Sequence, residues 1–383
     1  MTPAARVQAA IEVLARMGDG VPAEKALTNW ARGARYAGSG DRAAVRDLVF
    51  DILRTRRSAA ARGGGEGGRT LMIGHLRQSG LAIETLFDGS RHGPSPLTEQ
   101  EGAGGRAPTP QEAADLPDWL FAAFRVSLGE QASEVAEALR HRAPTFLRVN
   151  MRKTDVAAAQ AALAAEGVGT EPVADVPTAL RVTENPRRIQ NSAPYRDGLV
   201  ELQDAASQKV VDLLPLTEGA RVLDYCAGGG GKALAMAART GAEVIAHDAD
   251  PRRMRDLPVR AQRAGAVVTP VDAPEGAFDL VLCDAPCSGS GSWRRAPEGK
   301  WLLTPERLED LMHTQDQILE KASALVADGG YLAYVTCSVL DGENANRVTH
   351  FLSRRDGWTN VLQNRFLPGK DGDGFFLALL RHA

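Results

Sequence analysis

The residues of this sequence best suited to chemistry are two cysteines in polar surroundings. Cys287 lies three residues beyond Asp284 in the run DAPCSGSG, and Cys337 lies at the centre of the run TCS. Each follows a short apolar run with the composition of a β-strand. A cysteine is usually a small buried hydrophobe, which describes Cys283 inside its apolar run. Cys287 and Cys337 differ because a thiolate beyond a strand end can meet a substrate.

Two thiols beside a carboxyl group suit the methylation of a cytosine at carbon 5. That carbon is too weak a nucleophile to attack a methyl sulfonium, and a thiolate that adds at carbon 6 makes it nucleophilic. An acidic group that faces the ring nitrogen and the exocyclic amine would stabilise the adduct, a role for which Asp284 has the right chemistry. A base must then remove the carbon 5 proton so that the thiol can leave.

A second group of residues is suited to binding a nucleotide-like cofactor. An apolar run leads into Cys226-Ala-Gly-Gly-Gly-Gly-Lys232 and then into a helical stretch. Glycines allow the backbone to approach a ligand, and the free N–H groups of a helix start suit a carboxylate. Asp248 and Asp272 end the next two predicted strands, where a carboxylate can meet ribose hydroxyls or an adenine edge.

The glycine run alone leaves a simpler alternative open. It does not fit the phosphate loop GxxxxGK[ST], because Ala233 follows Lys232, and the first glycine of GxGxxG would fall on Ala227. A tight strand–helix turn, with Asp248 as a surface cap, would explain the glycines equally well. The coincidence of Asp248 and Asp272 at successive strand ends favours the cofactor site.

The C-terminal part, residues 201–383, predicts the α/β fold that would bring these groups together. Strand-like runs alternate with helical stretches, which is the pattern of a mostly parallel, doubly wound sheet. Ligands bind beyond the carboxyl ends of the strands in such sheets, so Cys287 and Cys337 should lie side by side. The predicted strands are 221–225, 243–247, 266–271, 278–283, 331–336 and a final edge strand at 374–380.

The preceding residues predict two further domains. Residues 140–200 alternate strand-like and helical runs and indicate a small α+β module. Residues 1–130 indicate an all-helical domain, interrupted by a flexible loop at about 89–111 that is rich in glycine, proline and serine. The predicted helices of this part are 5–16, 41–54, 71–87 and 116–139.

Composition excludes several classes of protein. With 383 residues, 44% hydrophobic and 24% charged, the sequence is typical of a soluble protein of two or three domains. It has no apolar run of membrane-spanning length, and its N-terminus predicts an amphipathic helix instead of a signal peptide, so we expect a cytoplasmic monomer. Four cysteines, all in the C-terminal half and without zinc spacing, indicate neither a disulfide framework nor a metal site.

The net charge of −3 means that any RNA-binding surface must be local. Two basic groups are candidates, and the alternative for each is a solvated helix face. The second group adjoins the Cys287 run, which favours a substrate role for it. The groups are Arg252, Arg253, Arg255, Arg260 and Arg263, and then Arg294, Arg295 and Lys300.

Several motifs in order resemble one enzyme family. The run DAPCSGSGSWRRAPEGKW (284–301) with TCSVLDGEN (336–344) resembles the RNA cytosine-5 methyltransferases of the Fmu/Sun and nucleolar-protein group. CAGGGGK (226–232) resembles their CAAPGGK cofactor loop, and VELQDAASQ (200–208) is similar to the segment before their catalytic domain. The likeness spans about 140–383. DRAAVRDLVFDILR (41–54) resembles part of the NusB-like RNA-binding domain of the RsmB-type 16S ribosomal RNA enzymes.

The resemblance implies a Rossmann-like class I methyltransferase fold, S-adenosylmethionine as cofactor and RNA, of which 16S ribosomal RNA is the first choice, as partner. It implies that Cys337 is the nucleophile, that Cys287 assists product release, and that Lys232 can reach the target base. The cofactor contacts that it implies are Cys226, Ala227, Gly228, Gly229, Gly230, Gly231, Lys232, Asp248, Asp272 and Asp284.

The sequence departs from the family pattern in two places. Gly228 and Gly229 replace the usual Ala-Pro of the cofactor loop, which makes the loop more flexible without cofactor. The stretch between Asp272 and Asp284 is short, which predicts the loss of a helix at the rim of the site.

Two other functions remain open from the sequence. DNA cytosine-5 methyltransferases attack with the cysteine of a Pro-Cys motif, here Cys287, whereas the additional cysteine in Thr-Cys-Ser favours the RNA enzymes. A non-catalytic RNA-binding or ribosome assembly factor could have kept the fold, and the altered cofactor loop favours it. A thiol oxidoreductase is disfavoured because the sequence has no Cys-x-x-Cys.

Overall fold

The computed structural model describes all 383 residues, and its contacts divide the chain into two units. The helical unit comprises residues 1–142 and 293–302, and the sheet unit comprises residues 143–292 and 303–383. Both β-sheets lie in the sheet unit. Each unit has a hydrophobic core of its own.

The elements are as follows. The α-helices are α1 (Pro3–Gly18), α2 (Ala23–Gly33), α3 (Ser39–Arg54), α4 (Arg56–Gly63), α5 (Gly68–Gln78), α6 (Glu99–Ala103), α7 (Pro110–Ala113), α8 (Asp118–Leu128), α9 (Ala132–Ala138), α10 (Val156–Ala165), α11 (Ala193–Arg196), α12 (Ala205–Asp212), α13 (Gly231–Thr240), α14 (Leu257–Ala264), α15 (Gly299–Leu302), α16 (Pro305–Ser323) and α17 (Ala345–Leu352). The strands are β1 (Thr145–Val149), β2 (Thr170–Pro172), β3 (Ala179–Val182), β4 (Val200–Leu202), β5 (Val222–Asp224), β6 (Val244–Ala246), β7 (Val268–Pro270), β8 (Phe278–Asp284), β9 (Val326–Thr336), β10 (Trp358–Phe366) and β11 (Phe375–His382). No helix is both long enough and apolar enough to cross a membrane.

The helical unit follows the apolar periodicity of its sequence in part. It also contains α2 and α4, which were not among the predicted helices, and the short helix α6 inside the predicted loop at about 89–111. The predicted helices 5–16 and 41–54 lie within α1 and α3. The predicted helix 71–87 ends at Gln78, because Gly80 adopts a left-handed backbone with φ +66°. The predicted helix 116–139 is divided into α8 and α9 at Gly129, which has φ +56°.

Residues 293–302, which the sequence analysis assigned to the catalytic domain, lie in the helical unit. The Trp293 ring is parallel to that of Phe124, with ring centroids 6.0 Å apart. The Trp301 indole N–H donates to the carbonyl of Leu53 at 2.8 Å. The segment therefore packs as part of this unit, although it directly follows the Cys287 loop in sequence.

The basic residues of this segment do not form the substrate surface that the sequence analysis favoured. Lys300 is buried and donates from Nζ to the carbonyl of Arg54 at 2.9 Å. Arg294 is buried as well, and its carbonyl accepts from Arg54 Nε at 2.8 Å. Only Arg295 of the three is exposed, so the other two are structural.

The sheet unit begins with a small antiparallel sheet whose strand order is β2-β3-β1-β4. The predicted strands near 145 and 179 are β1 and β3, and the predicted helix near 154–166 is α10. β4 comes from the segment VELQDAASQ and pairs with β1, so Arg148 of β1 lies opposite Glu201.

The second sheet has seven strands in the order β10-β11-β9-β8-β5-β6-β7. The five strands β9, β8, β5, β6 and β7 are parallel to one another. β11 is antiparallel to both β9 and β10. The Rossmann-like fold class is therefore confirmed. Each of the predicted strands at 221–225, 243–247, 266–271, 278–283 and 331–336 is present.

The predicted edge strand at 374–380 is wrong in its position. β11 lies between two strands, and β10, which the sequence analysis did not predict, forms the edge. Residues 375–380 are all buried, as expected of a strand covered on both faces. β10 has no buried residue, so its apolar alternation is too weak to recognise.

The chain order of the strands places a crevice between β5 and β8. From β5 the chain proceeds outward through β6 and β7, and it returns to the other side of β5 with β8 and β9. Such a reversal is where doubly wound sheets bind ligands. β7 and β8 are joined by residues 271–277 without a helix, as predicted from the short stretch before Asp284.

The replacement Lys300→Met should reduce the pH dependence of the stability of the helical unit. Burial lowers the pKa of Lys300 to about 7, whereas the pKa of a lysine in the unfolded chain is about 10.4. Between these values the unfolded state binds more protons, so the wild-type free energy of unfolding rises with pH, and Lys300→Met removes this contribution. Urea unfolding followed by tryptophan fluorescence measures this, because four of the five tryptophans lie in the helical unit: Trp30, Trp119, Trp293 and Trp301.

The exposed Lys25 of the same unit provides the matched control. Lys25→Met should retain the wild-type rise of stability with pH. An unchanged rise in Lys300→Met would contradict the pKa shift.

Candidate active site

The two candidate cysteines lie side by side. Cys287 follows β8 and Cys337 follows β9, and these strands are parallel neighbours in which Asp284 pairs with Val335. The two Sγ atoms are 3.4 Å apart, and both residues are partly exposed. The structure therefore brings together the pair that the sequence predicted to share a crevice. Cys283 is buried inside β8, as expected of a core residue.

The pKa values of the two thiols are shifted in opposite directions. A hydrogen bond from the Cys287 thiol lowers the pKa of Cys337, although burial acts in the opposite direction, and the charge of Lys232 lowers it further. The interaction with Cys337, followed by burial, raises the pKa of Cys287 well above its usual value. Of the two thiols, Cys337 therefore ionises more readily, which makes it the better nucleophile.

Asp284 and Lys232 form an ion pair beside the cysteines. Lys232 Nζ donates to Asp284 Oδ2 at 2.7 Å, and the lysine is buried while the aspartate is half-buried. Burial alone would lower the pKa of Lys232, but the charge of Asp284 outweighs it and raises that pKa. The site therefore holds a charged amine next to the reactive sulfur.

The glycine loop between β5 and α13 has the backbone that its sequence requires. Gly228 and Gly230 have φ values of +51° and +80°, in the left-handed region. A Cβ at Gly230 would lie 2.1 Å from Leu257 Cδ1, so the neighbouring helix also excludes a side chain there. Gly228 N–H donates to Asp248 Oδ2 at 2.9 Å, which joins the loop to the carboxylate that follows β6.

The other predicted cofactor residues lie around this loop. Asp248 is buried, whereas Asp272 is exposed beyond the end of β7. Ala227 is buried, and burial raises the pKa of the Cys226 thiol well above its usual value. Cys226 is therefore a neutral thiol with a packing role.

Asp224, which ends β5, is a buried acid that forms no ion pair. Burial, followed by the charge of Asp284, raises the pKa of Asp224 to about 7, although the charge of Lys232 and the backbone N–H of Ala233 act in the opposite direction. A buried acid without an ion-pair partner is costly and would gain from a cationic or hydrogen-bond-donating ligand. With the glycine loop and the carboxylates of Asp248, Asp272 and Asp284, these residues fit a cofactor that carries cationic groups and a ribose.

Two arginines over the glycine loop were not recognised as site residues from the sequence. Arg253 Nη1 lies 3.0 Å from Asp248 Oδ2, and Arg260 donates to the carbonyl of Gly229. A Cβ at Gly228 would lie 3.1 Å from Arg253, and one at Gly229 would lie 3.0 Å from Arg260. The departure from Ala-Pro therefore makes room for two guanidinium groups. Their signal was the basic run directly after Asp248.

Each arginine of the first basic group has a carboxylate within 4.0 Å. The side chains of Arg252, Arg253 and Arg255 are nevertheless largely exposed, so a contact of this group with RNA stays a prediction. The pairs are Arg252–Asp250, Arg253–Asp248, Arg255–Asp256, Arg260–Glu201 and Arg263–Glu201.

Arg148 is a further residue that the sequence analysis missed. It is buried in β1 and donates from Nη1 to the carbonyl of Gly231 at 2.8 Å and to Gln203. The small antiparallel sheet therefore supports the glycine loop directly.

Glu343, in the turn after Cys337, was missed as well. It is fully buried, and its carboxylate accepts hydrogen bonds from Ser288, Ser338 and Gln315. Its signal was present in the run TCSVLDGEN, where an acidic residue closely follows the cysteine.

Comparison with known proteins identifies two matching family models. Residues 211–381 match the family model described as 16S rRNA methyltransferase RsmB/F. Residues 116–189 match the model of the ferredoxin-like domain of RsmF/B-like methyltransferases.

A named relative covers a large part of the chain. Ribosomal RNA small subunit methyltransferase B of Serratia proteamaculans is 33% identical over 282 residues, which cover 69% of this chain and 66% of the relative. The chain thus spans slightly less than two thirds of the length of the curated relatives that it matches.

Solved structures share the fold. The crystal structure of PH0851 has a TM-score of 0.76 at 22% identity and covers 99% of both chains. NSun6 from Pyrococcus horikoshii, crystallised with SFG, has a TM-score of 0.63 at 18% identity and covers 70% of this chain and 98% of its own.

The replacement Gly230→Ala should weaken both folding and cofactor binding. Its left-handed backbone costs a non-glycine residue about 1–2 kcal/mol, and the added Cβ must also displace Leu257. Thermal unfolding and calorimetry with S-adenosylmethionine measure the two effects.

Gly219 is the matched control because its φ of +79° is nearly the same and the space around it is open. Gly219→Ala should show the backbone cost alone and retain cofactor affinity. Equal effects of both variants would contradict the close approach of the loop to Leu257.

The replacement Cys287→Ala should raise the pKa of Cys337, because it removes the thiol that donates to the Cys337 thiolate. The midpoint of the pH dependence of Cys337 alkylation by iodoacetamide, followed by peptide mass spectrometry, should move upward. Cys226→Ala serves as the control and should leave that midpoint unchanged. A midpoint unaffected by Cys287→Ala would show that the two sulfurs do not share a proton.

Proposed function

Because the chain belongs to the RsmB/F family of methyltransferases, we propose that it methylates carbon 5 of a cytosine in RNA with S-adenosylmethionine as the methyl donor. The observation that carries this proposal is the pair of sulfurs, Cys287 and Cys337, 3.4 Å apart beside the Asp284–Lys232 ion pair. We propose 16S ribosomal RNA as the substrate because the matching family model and the curated relative are both described as enzymes of this RNA.

The residues around the glycine loop would hold the cofactor, which supplies a methyl group activated by its positive sulfonium. The backbone of residues 226–231 and the first turn of α13 would accommodate its carboxylate. Asp248 Oδ1 accepts only one hydrogen bond, from the N–H of Asp250, and so retains a lone pair for a ribose hydroxyl. Asp272 would meet the adenine, and Asp224 and Asp284 would face the cationic groups.

The chemistry on the base would begin at Cys337. Its thiolate forms a bond to carbon 6 of the cytosine, and the ring electrons shift so that carbon 5 becomes nucleophilic. Asp284 would accept a hydrogen bond from the exocyclic amine, and the charged Lys232 would donate to the ring. Both contacts favour the adduct over the free base.

Product release would depend on Cys287. The interaction with Cys337 is the largest cause of the raised pKa of Cys287, and it disappears when the Cys337 sulfur becomes bonded to the ring. Cys287 can then ionise more readily next to the adduct and take the carbon 5 proton. Loss of that proton returns the electrons that expel Cys337 as a thiolate.

The helical unit would help to hold folded RNA. It contains 21 arginines and lysines against 18 aspartates and glutamates, whereas the sheet unit contains 24 against 30. The positive balance thus lies outside the sheet unit, which favours a role of the helical unit in contacting phosphates. This agrees with the resemblance of its sequence to a NusB-like RNA-binding domain.

A second candidate function is a non-catalytic assembly factor that has kept the fold. The observation in its favour is the position of Arg253 and Arg260 over the glycine loop, where the family pattern has Ala-Pro. Calorimetry separates the two functions. Absence of binding at millimolar S-adenosylmethionine would support the assembly factor, and micromolar binding would exclude it.

The two cysteines should have opposite effects on covalent trapping with RNA that contains 5-fluorocytosine. Cys337→Ala should form no adduct, because the attacking sulfur is lost. Cys287→Ala should form the adduct, and it should accumulate this adduct even on RNA with ordinary cytosine, because removal of the carbon 5 proton is slowed. Denaturing gels measure both outcomes.

Cys283→Ala, which changes a buried core cysteine outside the pair, is the control and should behave as the wild type. Adduct formation by Cys337→Ala but not by Cys287→Ala would instead assign the attack to Cys287, as in DNA cytosine-5 methyltransferases.

A further inference from the structure

We propose that Glu343 is a positioning residue that joins the Cys287 loop to the Cys337 loop and thereby sets the separation of the two sulfurs. This inference rests on the proposed function, because it concerns the same pair of cysteines. Glu343 lies in a short turn, Asp341–Glu343, beyond Cys337 and is fully buried. It would act through the two loops and not on the RNA.

The hydrogen bonds of Glu343 reach the residue that directly follows each cysteine. Oε1 accepts from the backbone N–H of Ser288 at 2.7 Å, and Oε2 accepts from the Ser288 hydroxyl at 2.5 Å. Oε2 also accepts from the Ser338 hydroxyl at 2.5 Å. One carboxylate thus binds both the Ser of Pro-Cys-Ser and the Ser of Thr-Cys-Ser, which are 50 positions apart.

The surrounding residues hold Glu343 in place. Gln315 of α16 donates from Nε2 to Oε1 at 3.1 Å and to the carbonyl of Pro286 at 2.9 Å. The Tyr334 hydroxyl donates to the Glu343 carbonyl at 2.6 Å. A buried carboxylate with several donors is a rigid reference point, because its oxygens lose these hydrogen bonds if either loop moves.

Other contacts also join the two loops. Gly291 N–H donates to the carbonyl of Cys337 at 2.9 Å, and the hydroxyls of Ser290 and Ser338 are 2.9 Å apart. Val339 N–H donates to the Ser290 hydroxyl at 2.9 Å. Glu343 differs from these groups because it binds the backbone N–H of Ser288, next to Cys287, as well as the Ser338 hydroxyl.

The charge of Glu343 also acts on the pair. The raised pKa of Cys287 is caused first by Cys337, then by burial, and additionally by the negative charges of Cys337 and Glu343. Lys232 acts in the opposite sense on Cys337. The negative charge of Glu343 and the positive charge of Lys232 therefore help to separate the pKa values of two otherwise similar thiols.

The test is the rate at which diamide joins Cys287 to Cys337 as a disulfide in the full chain. The two thiols give two electrons and two protons to the azo bond, which becomes a hydrazine. The rate depends on how closely the sulfurs are held and requires neither RNA nor cofactor. Peptide mass spectrometry identifies the disulfide.

Glu343→Ala should slow this disulfide formation by about fivefold or more, because small displacements strongly reduce reactions between held groups. Glu343→Gln keeps an acceptor oxygen for Ser288 N–H and an amide for the two hydroxyls, so its rate should stay within about twofold of wild type. Asp341→Ala is the matched control and should keep the wild-type rate. The Asp341 carboxylate lies in the same turn as Glu343 but pairs with Arg365.

A wild-type rate in Glu343→Ala, or equal slowing in Glu343→Gln, would overturn the proposal. If near-UV circular dichroism shows that Glu343→Ala does not fold, Ser338→Ala replaces it. That variant removes one hydrogen bond to Glu343 and should still form the disulfide more slowly than wild type. A wild-type rate in Ser338→Ala would then overturn the proposal.

A second measurement separates a positioning role from general destabilisation. In single turnovers Glu343→Ala should form the RNA adduct but release it slowly, because Cys287 is displaced, while its affinity for S-adenosylmethionine is unchanged. If Glu343→Ala loses adduct formation, adduct release and S-adenosylmethionine binding together, the proposal is overturned. If the wild type forms no adduct while disulfide formation still depends on Glu343, the proposed methylation fails and the positioning role stands.

Discussion

The parallel pairing of β8 with β9 is the constraint on which the rest of the site depends. Hydrogen bonding between these strands fixes Asp284 opposite Val335, so the chain leaves both strands at the same level. Two loops that are far apart in sequence then begin side by side, and their cysteines come within 3.4 Å. The difference between the two thiols follows from this proximity, because the hydrogen bond between the sulfurs lowers the pKa of Cys337 and raises that of Cys287.

The charges of the site lie around the two thiols. Lys232 forms an ion pair with Asp284, and its positive charge also lowers the pKa of Cys337. Glu343 lies buried behind the serines that follow the two cysteines. Asp224 is buried and forms no ion pair, and burial raises its pKa. The protein core thus stabilises some buried charges fully and leaves one acid whose partner would have to come from a ligand.

The fold of the sheet unit could be predicted in large part because short apolar strands alternate with helices, and the ends of the strands then located the cysteines. β10 escaped prediction because an edge strand with exposed side chains has no distinct apolar pattern. Glu343 and Arg148 escaped because their contacts cross 50 or more positions, as from Glu343 to Ser288 and from Arg148 to Gly231. Only folding places these distant polar partners together, so the sequence shows Glu343 near Cys337 but not its contact with Ser288.

Residues 293–302 give the chain an unusual order of assembly. The helical unit includes a segment that lies about 150 positions beyond its other residues. The chain leaves this unit after residue 142 and returns to it for residues 293–302. During synthesis on the ribosome, residues 1–142 therefore emerge without Trp293, Lys300 and Trp301, and their own fold is completed only after most of the sheet unit has been made. Nascent chains shorter than about 302 residues would expose the surface that this segment covers, so chaperones would meet the helical unit before its core is closed.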